Sequence, residues 1–244
     1  MTVRSGPGEL TSRAGIATEV IEMWTQLTGP EGNDLSRTAR ISAGIAPAAA
    51  CYVMPSWARD QGATDIPLWW TWPAGSWVSG DRRQELLLAA ALALAAIEQT
   101  GTHGQPPPLT VVRDADETTR PAPAGHRRGS RDRILTAVEQ ARADLVDHEG
   151  LDPARSLRPS GLESLMLATA CHLLPAEMRE IGRAGVPHMW AWPTSSWIDI
   201  QDRAIELTIA AAMAQAVIEL HDRTKTRRGR TSTLAIIDGQ APPR

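Results

Sequence analysis

Cys51-Tyr52-Val53-Met54-Pro55, followed by Trp70-Thr71-Trp72-Pro73-Ala74-Gly75-Ser76-Trp77, returns along the chain as Cys171-His172-Leu173-Leu174-Pro175 and Trp190-Ala191-Trp192-Pro193-Thr194-Ser195-Ser196-Trp197. The cysteine-to-tryptophan spacing is the same in both stretches. One residue of slip later, Asp81-Arg82-Arg83-Gln84-Glu85-Leu86 and Ile97-Glu98 are answered by Asp202-Arg203-Ala204-Ile205-Glu206-Leu207 and Ile218-Glu219. Solenoid repeats have periods of about 20 to 50 residues, so a spacing this long reads as a duplicated domain. It predicts a mainly α fold of two homologous helical repeats packed as a pseudo-two-fold dimer.

The repeats are expected at residues 13–112 and 131–238, with 113–130 as a flexible linker poor in apolar residues. Residues 1–12 read as a frayed end. In the first repeat Ile16, Val20, Ile21 and Trp24 have helical spacing, as do Ile134, Leu135, Val138 and Leu145 in the second. Glu31-Gly32 and Glu149-Gly150 read as stops for these helices. A second helix in each repeat, about 41–53 and 160–174, carries the cysteine and stops before Pro55 or Pro175.

Prolines make the Trp-rich stretches irregular. A long helix then starts near Asp81 or Asp202, whose carboxylates suit a helix N-terminus. Leu86, Ala89, Ala90, Ala93, Leu94 and Ile97 follow with helical period, and so do Leu207, Ala210, Ala211, Ala214 and Ile218. Stripes of alanine let helices approach closely, so these two are expected at the seam between the repeats. Leu109-Thr110-Val111-Val112 and Leu234-Ala235-Ile236-Ile237 read as short β-strands after each long helix.

The chain has 244 residues, 42% hydrophobic, with a net charge of −3. That balance gives no global attraction to nucleic acid or to an anionic membrane. The longest uncharged apolar run, Leu86 to Ile97, is short of a membrane span. With no leader pattern, a cytoplasmic protein is expected. The two cysteines read as small buried hydrophobes, a disulfide across the pseudo-dyad being the alternative. The basic residues Arg127, Arg128, Arg131, Arg133, Arg223, Lys225, Arg227, Arg228 and Arg230 read as solvated hinges, since no aromatic residue interleaves with them, contact with phosphates being the alternative.

Of nine Trp, seven lie in or beside the two WxWPxxSW stretches, and the chain has one Tyr and no Phe. Indole faces can stack on a base, a sugar or a quaternary amine, making Trp69, Trp70, Trp72, Trp190 and Trp192 candidate ligand-binding residues. The competing reading makes these loops hydrophobic plugs over the helix ends. On that view Trp77 and Trp197 are the structural members, and Trp69, Trp70 and Trp190 lie nearest any partner. Asp81/Glu85 and Asp202/Glu206 are one helical turn apart, a spacing that can offer oxygens to Mg²⁺. Alternatively each Asp caps its helix and each Glu pairs with Arg82 or Arg203. His148, His172 and His188 have no ligand spacing and read as surface or core histidines. No GxSxG, HExxH, P-loop or GxGxxG motif occurs, and no catalytic constellation is recognisable.

The Ala48-Ala49-Ala50-Cys51-Tyr52, Trp72-Pro73 … Trp77 and Asp81-Arg82-Arg83-Gln84-Glu85-Leu86 elements resemble a group of small uncharacterised phage and prophage proteins. Their pattern combines EGW-T-x-E-H-D-D-x-H, AAACY, WPW-x-x-x-WW and D-R-R-x-D-L. Arg37, Thr38, Ala39 and Ile41 stand where that group carries its His-Asp-Asp-x-His cluster, and nothing comparable lies around Pro153 to Leu157. The resemblance therefore implies a tandem-duplicated, degenerate relative. The group is sometimes likened to all-α nucleoside triphosphate pyrophosphohydrolases, but their ExxE…ExxD pattern is absent. Two functions are expected in consequence. The first is a non-catalytic protein whose loops dock an unidentified protein or small molecule. The alternative is a Mg²⁺-dependent nucleotide hydrolase using Asp81, Glu85, Asp202 and Glu206.

Overall fold

A computed structural model describes residues 7–28, 44–59, 66–103, 124–148, 159–182 and 185–238. They form six α-helices: α1 (Pro7–Thr28), α2 (Ile45–Val53), α3 (Arg82–His103), α4 (Ala124–His148), α5 (Pro159–Leu173) and α6 (Arg203–Asp238). Four short 3₁₀ turns punctuate the connections, at Ser56–Ala58, Ala74–Ser76, Ala176–Met178 and Thr194–Ser196. No strand occurs among the described residues, and the one isolated bridge joins Ile181 to Pro187.

The alanine-rich helices α3 and α6 pack on each other, and α2 packs on α5. Ala89, Ala90, Ala91 and Ala93 are buried, as are Ala210, Ala211, Ala212 and Ala214, so the two backbones meet with little side-chain bulk between them. Around this centre α1 lies on α3 and α4 lies on α6. Trp24, Val20, Leu92, Leu94, Met213 and Ile218 fill the core. Apolar burial of this extent is the main favourable term in folding.

Several sequence expectations need correction. Residues 234–237 continue α6 rather than forming a strand. A short apolar run is ambiguous between the two states, and a helix already propagating adds residues without a new nucleus. The matching run at 109–112 lies outside the described residues, as do both Glu-Gly stops. Residues 124–130, assigned to the linker, begin α4, and residues 7–12 belong to α1. Finally, residues 203–226 of α6 are long and apolar enough to span a membrane by composition, but 67% of that window is buried inside the fold. A core helix passes the same test.

Candidate functional site

Each Trp-Pro loop is folded by its own sequence. Pro67 and Pro187 accept the backbone N–H groups of Trp70 and Trp190, both at 2.9 Å. Pro73 and Pro193 then start a 3₁₀ turn closed by Ser76 N–H and Ser196 N–H, again at 2.9 Å. The serine hydroxyls donate back to the same proline carbonyls at 2.6 and 2.7 Å. The indoles of Trp70 and Trp190 donate to those carbonyls too, at 3.4 and 3.3 Å. The WxWPxxSW pattern thus encodes a turn whose donors converge on its own proline carbonyl, although the Trp77 indole N–H is buried without a hydrogen-bond partner.

The indoles collect on the ring preceding Val53 or Leu173. Trp77 stacks on Tyr52 with centroids 4.6 Å apart and planes at 19°. Trp70 stands edge-on to Tyr52, Trp72 and Trp77 at 5.5, 5.2 and 4.9 Å. In the other loop Trp197 stacks on His172 at 5.1 Å and 15°. Trp190 stands edge-on to His172, Trp192 and Trp197 at 5.6, 5.0 and 4.9 Å. Stacked and edge-on pairs are the arrangements that ring quadrupoles favour. All six of these loop tryptophans are half-buried, so Trp70 and Trp190 are not set apart from Trp77 and Trp197 as exposed members.

Beneath each aromatic group lies a buried carboxylate held by two arginines. Glu85 accepts from Arg59 at 2.5 and 3.2 Å and from Arg82 at 2.8 Å. Glu206 accepts from Arg179 and Arg203, each at 2.5 Å, with His172 Nδ1 at 3.4 Å. The arginines also serve the helix ends. The last carbonyls of a helix have no intrahelical donor. Arg59 and Arg82 donate to the carbonyls of Tyr52, Val53 and Met54, closing α2. Arg179 and Arg203 do the same for His172, Leu173 and Leu174 at the end of α5. Arg59 and Arg179 also lie over the outer indoles Trp77 and Trp197, at 5.4 and 5.7 Å.

Burial works to raise the pKa of Glu85 and Glu206, but hydrogen bonds from Arg59 and Arg82 to the first, and from His172, Arg179 and Arg203 to the second, outweigh it and hold both carboxyls below the usual glutamate value. Both therefore stay charged and occupied. Asp202 caps α6, its Oδ1 accepting from the N–H groups of Ala204 and Ile205 at 2.9 and 3.2 Å. Among the described residues no group of three or more His, Cys, Asp or Glu side chains is placed to hold a metal ion. Asp81, Glu85, Asp202 and Glu206 are therefore not gathered into one cluster, because each Glu is drawn to the arginines of its own loop.

Trp69 is placed differently from the other loop tryptophans. It lines a cavity of about 40 Å³ together with Cys171, Arg179, Glu180, Pro187, His188 and Met189, so the two loops adjoin there. That volume suits roughly three water molecules, far less than a base or a sugar. Cys51 and Cys171 are free thiols, buried in α2 and α5, and burial pushes both pKa values up to about 12. Gly44, ahead of α2, lies under the first loop: a Cβ there would stand 2.7 Å from Thr71 Oγ1 and 2.8 Å from Trp72 Nε1.

Arg59 and Arg179 escaped the sequence reading, although both follow their proline at the same interval (Pro55 to Arg59, Pro175 to Arg179). His172, read as an ordinary core or surface histidine, takes the place that Tyr52 holds in the other loop. No protein-family model, curated protein or solved structure matches this chain.

Proposed function

We propose that the chain is a non-catalytic interaction protein, an internally duplicated pseudo-dimer whose two Trp-Pro loops dock a protein partner. The helix contacts support the duplication. Exchanging α1, α2 and α3 for α4, α5 and α6 maps every major packing pair onto another pair or onto itself, which is what a two-fold axis between the halves produces. Matching aromatic, arginine and glutamate contacts in the two loops support it further. The resemblance to small phage and prophage proteins fits the same origin, and a soluble cytoplasmic setting accords with the composition.

The observation that carries the docking reading is the outer edge of the loops. Leu68, Val78, Trp57 and Ile198 are 70%, 66%, 65% and 60% exposed, although the rings beside them are locked by stacking and ion pairs. A rigid scaffold that holds large apolar side chains in solvent is the usual design of a protein-docking face. Trp77 and Trp197 already stack on Tyr52 and His172 and meet Trp70 and Trp190 edge-on, which favours a partner at the rim over a small ligand between the rings. The Mg²⁺-dependent hydrolase reading has weaker support, since Glu85 and Glu206 are each held by two arginines.

Two assays separate these functions. Incubation with Mg²⁺ and each nucleoside triphosphate is expected to release no pyrophosphate. Turnover abolished by Glu85→Gln in a still-folded protein would overturn the reading. Affinity capture is expected to retain a defined partner on the native chain and to lose it on a Leu68→Ser/Val78→Ser/Ile198→Ser variant. Equal capture by both would remove the loops from the interface.

A further inference from the structure

The loops expose, among the described residues, charge of one sign as well as apolar groups. Among the described residues of 56–81 and 176–202, the exposed charged side chains are Asp81, Glu177, Glu180, Asp199 and Asp202. The described arginines of the same stretches, Arg59 and Arg179, are buried and used by Glu85 and Glu206. Glu163, also exposed, accepts a hydrogen bond from the exposed Trp57 at 3.2 Å and so brings another carboxylate to the rim. His188 is the remaining exposed titratable group among the described loop residues. The two loops adjoin, because Trp69 of one shares a cavity with Glu180, Pro187, His188 and Met189 of the other.

From these observations we infer that the loops receive a cationic polypeptide segment with apolar anchors, its side chains meeting Leu68, Val78 and Ile198 while its lysines or arginines face the carboxylate rim. This inference rests on the docking reading above and adds the partner's chemistry to it. The inward turn of Arg59 and Arg179 leaves carboxylates as the exposed charges among the described loop residues, and that is what makes the surface selective. A neutral apolar segment gains only the burial, an acidic one is repelled, and a basic one gains both burial and steering. Charges at an exposed rim are screened by salt, so the preference should be strongest at low ionic strength.

The test uses the full chain and three labelled 14-residue peptides with one leucine pattern, carrying Lys, Gln or Glu at the polar positions, with binding followed by fluorescence anisotropy. The Lys peptide is expected to bind at least about tenfold more tightly than the Gln peptide. The Glu peptide is expected not to bind, and the Lys peptide to weaken as salt rises. Reversing the rim in Glu177→Lys/Glu180→Lys/Asp199→Lys should weaken the Lys peptide about tenfold or more. A control reversal on α4, Glu139→Lys/Asp144→Lys, should leave it unchanged. Leu68→Ser/Val78→Ser/Ile198→Ser should also weaken it, with the urea midpoint of each variant confirming that the fold persists.

If all three peptides bind alike, or the α4 reversal acts as strongly as the rim reversal, the charge inference fails while docking stands. If no peptide binds, both fail. Self-association in sedimentation that the serine variant abolishes would replace the cationic partner with a second copy of the chain.

Discussion

Replacing Glu85 with Gln tests the arginine-clamped carboxylate that holds the first loop. The side chain is 6% exposed and its partner Arg59 is 3% exposed, so neither charge has water to fall back on. Glu85 takes three arginine N–H groups and stands 3.4 Å from both Ser79 Oγ and the Gly80 N–H. Gln keeps the shape and one acceptor oxygen, but its NH₂ must face guanidinium donors. Breaking one side of a buried ion pair costs about 3–5 kcal/mol, because the remaining charge stays buried without compensation. The retained acceptor puts the expected loss near the lower end, about 3 kcal/mol.

In urea unfolding such a loss lowers the midpoint by roughly 1 M or more at an m of about 2–3 kcal/mol/M, with m itself unchanged. Glu206→Gln should behave alike, since Glu206 is 3% exposed on its side chain and is held by Arg179 and Arg203. Glu177→Gln, at an exposed position, is the control and should stay within about 0.5 kcal/mol of the native chain. A loss below about 1 kcal/mol for both Glu85→Gln and Glu206→Gln would refute the claim that these clusters hold the loops.

Further outcomes follow from the same geometry. Trp77→Ala and Trp197→Ala remove a half-buried ring from a stack and should each cost about 2–4 kcal/mol in denaturant melts; near-native stability of both would count against the plug role. Gly44→Ala should destabilise by about 1–3 kcal/mol, its methyl meeting Thr71 and Trp72, while Gly15→Ala in α1 meets nothing within 4 Å and should be neutral or stabilising. Thiol labelling of Cys51 and Cys171 should follow global unfolding, since burial and pKa values of about 12 leave little thiolate at neutral pH; rapid labelling of the native chain would contradict it. Because the folded pKa values of Glu85 and Glu206 are lowered, their stabilisation is complete above the unfolded glutamate value and fades as pH falls below it through the folded value. Thermal melts should show this loss below about pH 4.3 and a weaker one in Glu85→Gln.

The helices were legible because their signal is local. Alanine spacing in 86–97 and 207–218 announces a buried face, and Pro55 and Pro175 announce a stop. The strand expected at 234–237 failed for the converse reason: four apolar residues carry too little periodicity to overrule a helix already running from Arg203. The carboxylate pairs were visible, and the reading that pairs Glu85 with Arg82 and Glu206 with Arg203 and makes Asp202 a helix cap holds in the structure. Asp81 and Glu85 at i and i+4 look the same whether they face a metal ion or an arginine. What decides is Arg59, 26 residues away from Glu85 in the chain, and a helix-period reading has no access to a partner at that separation.

That long-range pairing also explains how the two loops differ at one ring and share one shape. Tyr52 and His172 differ in chemistry, yet each offers a flat face to the outer Trp and lies one residue before a carbonyl that an arginine caps. The arginines hold the backbone of that helix end, so the ring itself need only be planar and of about the right size. Histidine meets that demand and adds a contact to Glu206 that Tyr52 does not make with Glu85. The clusters are therefore tolerant where they stack and strict where they pair charges. A single loss from the Arg–Glu set should be felt more than a change of ring, because a buried charge has no substitute partner and a ring face does.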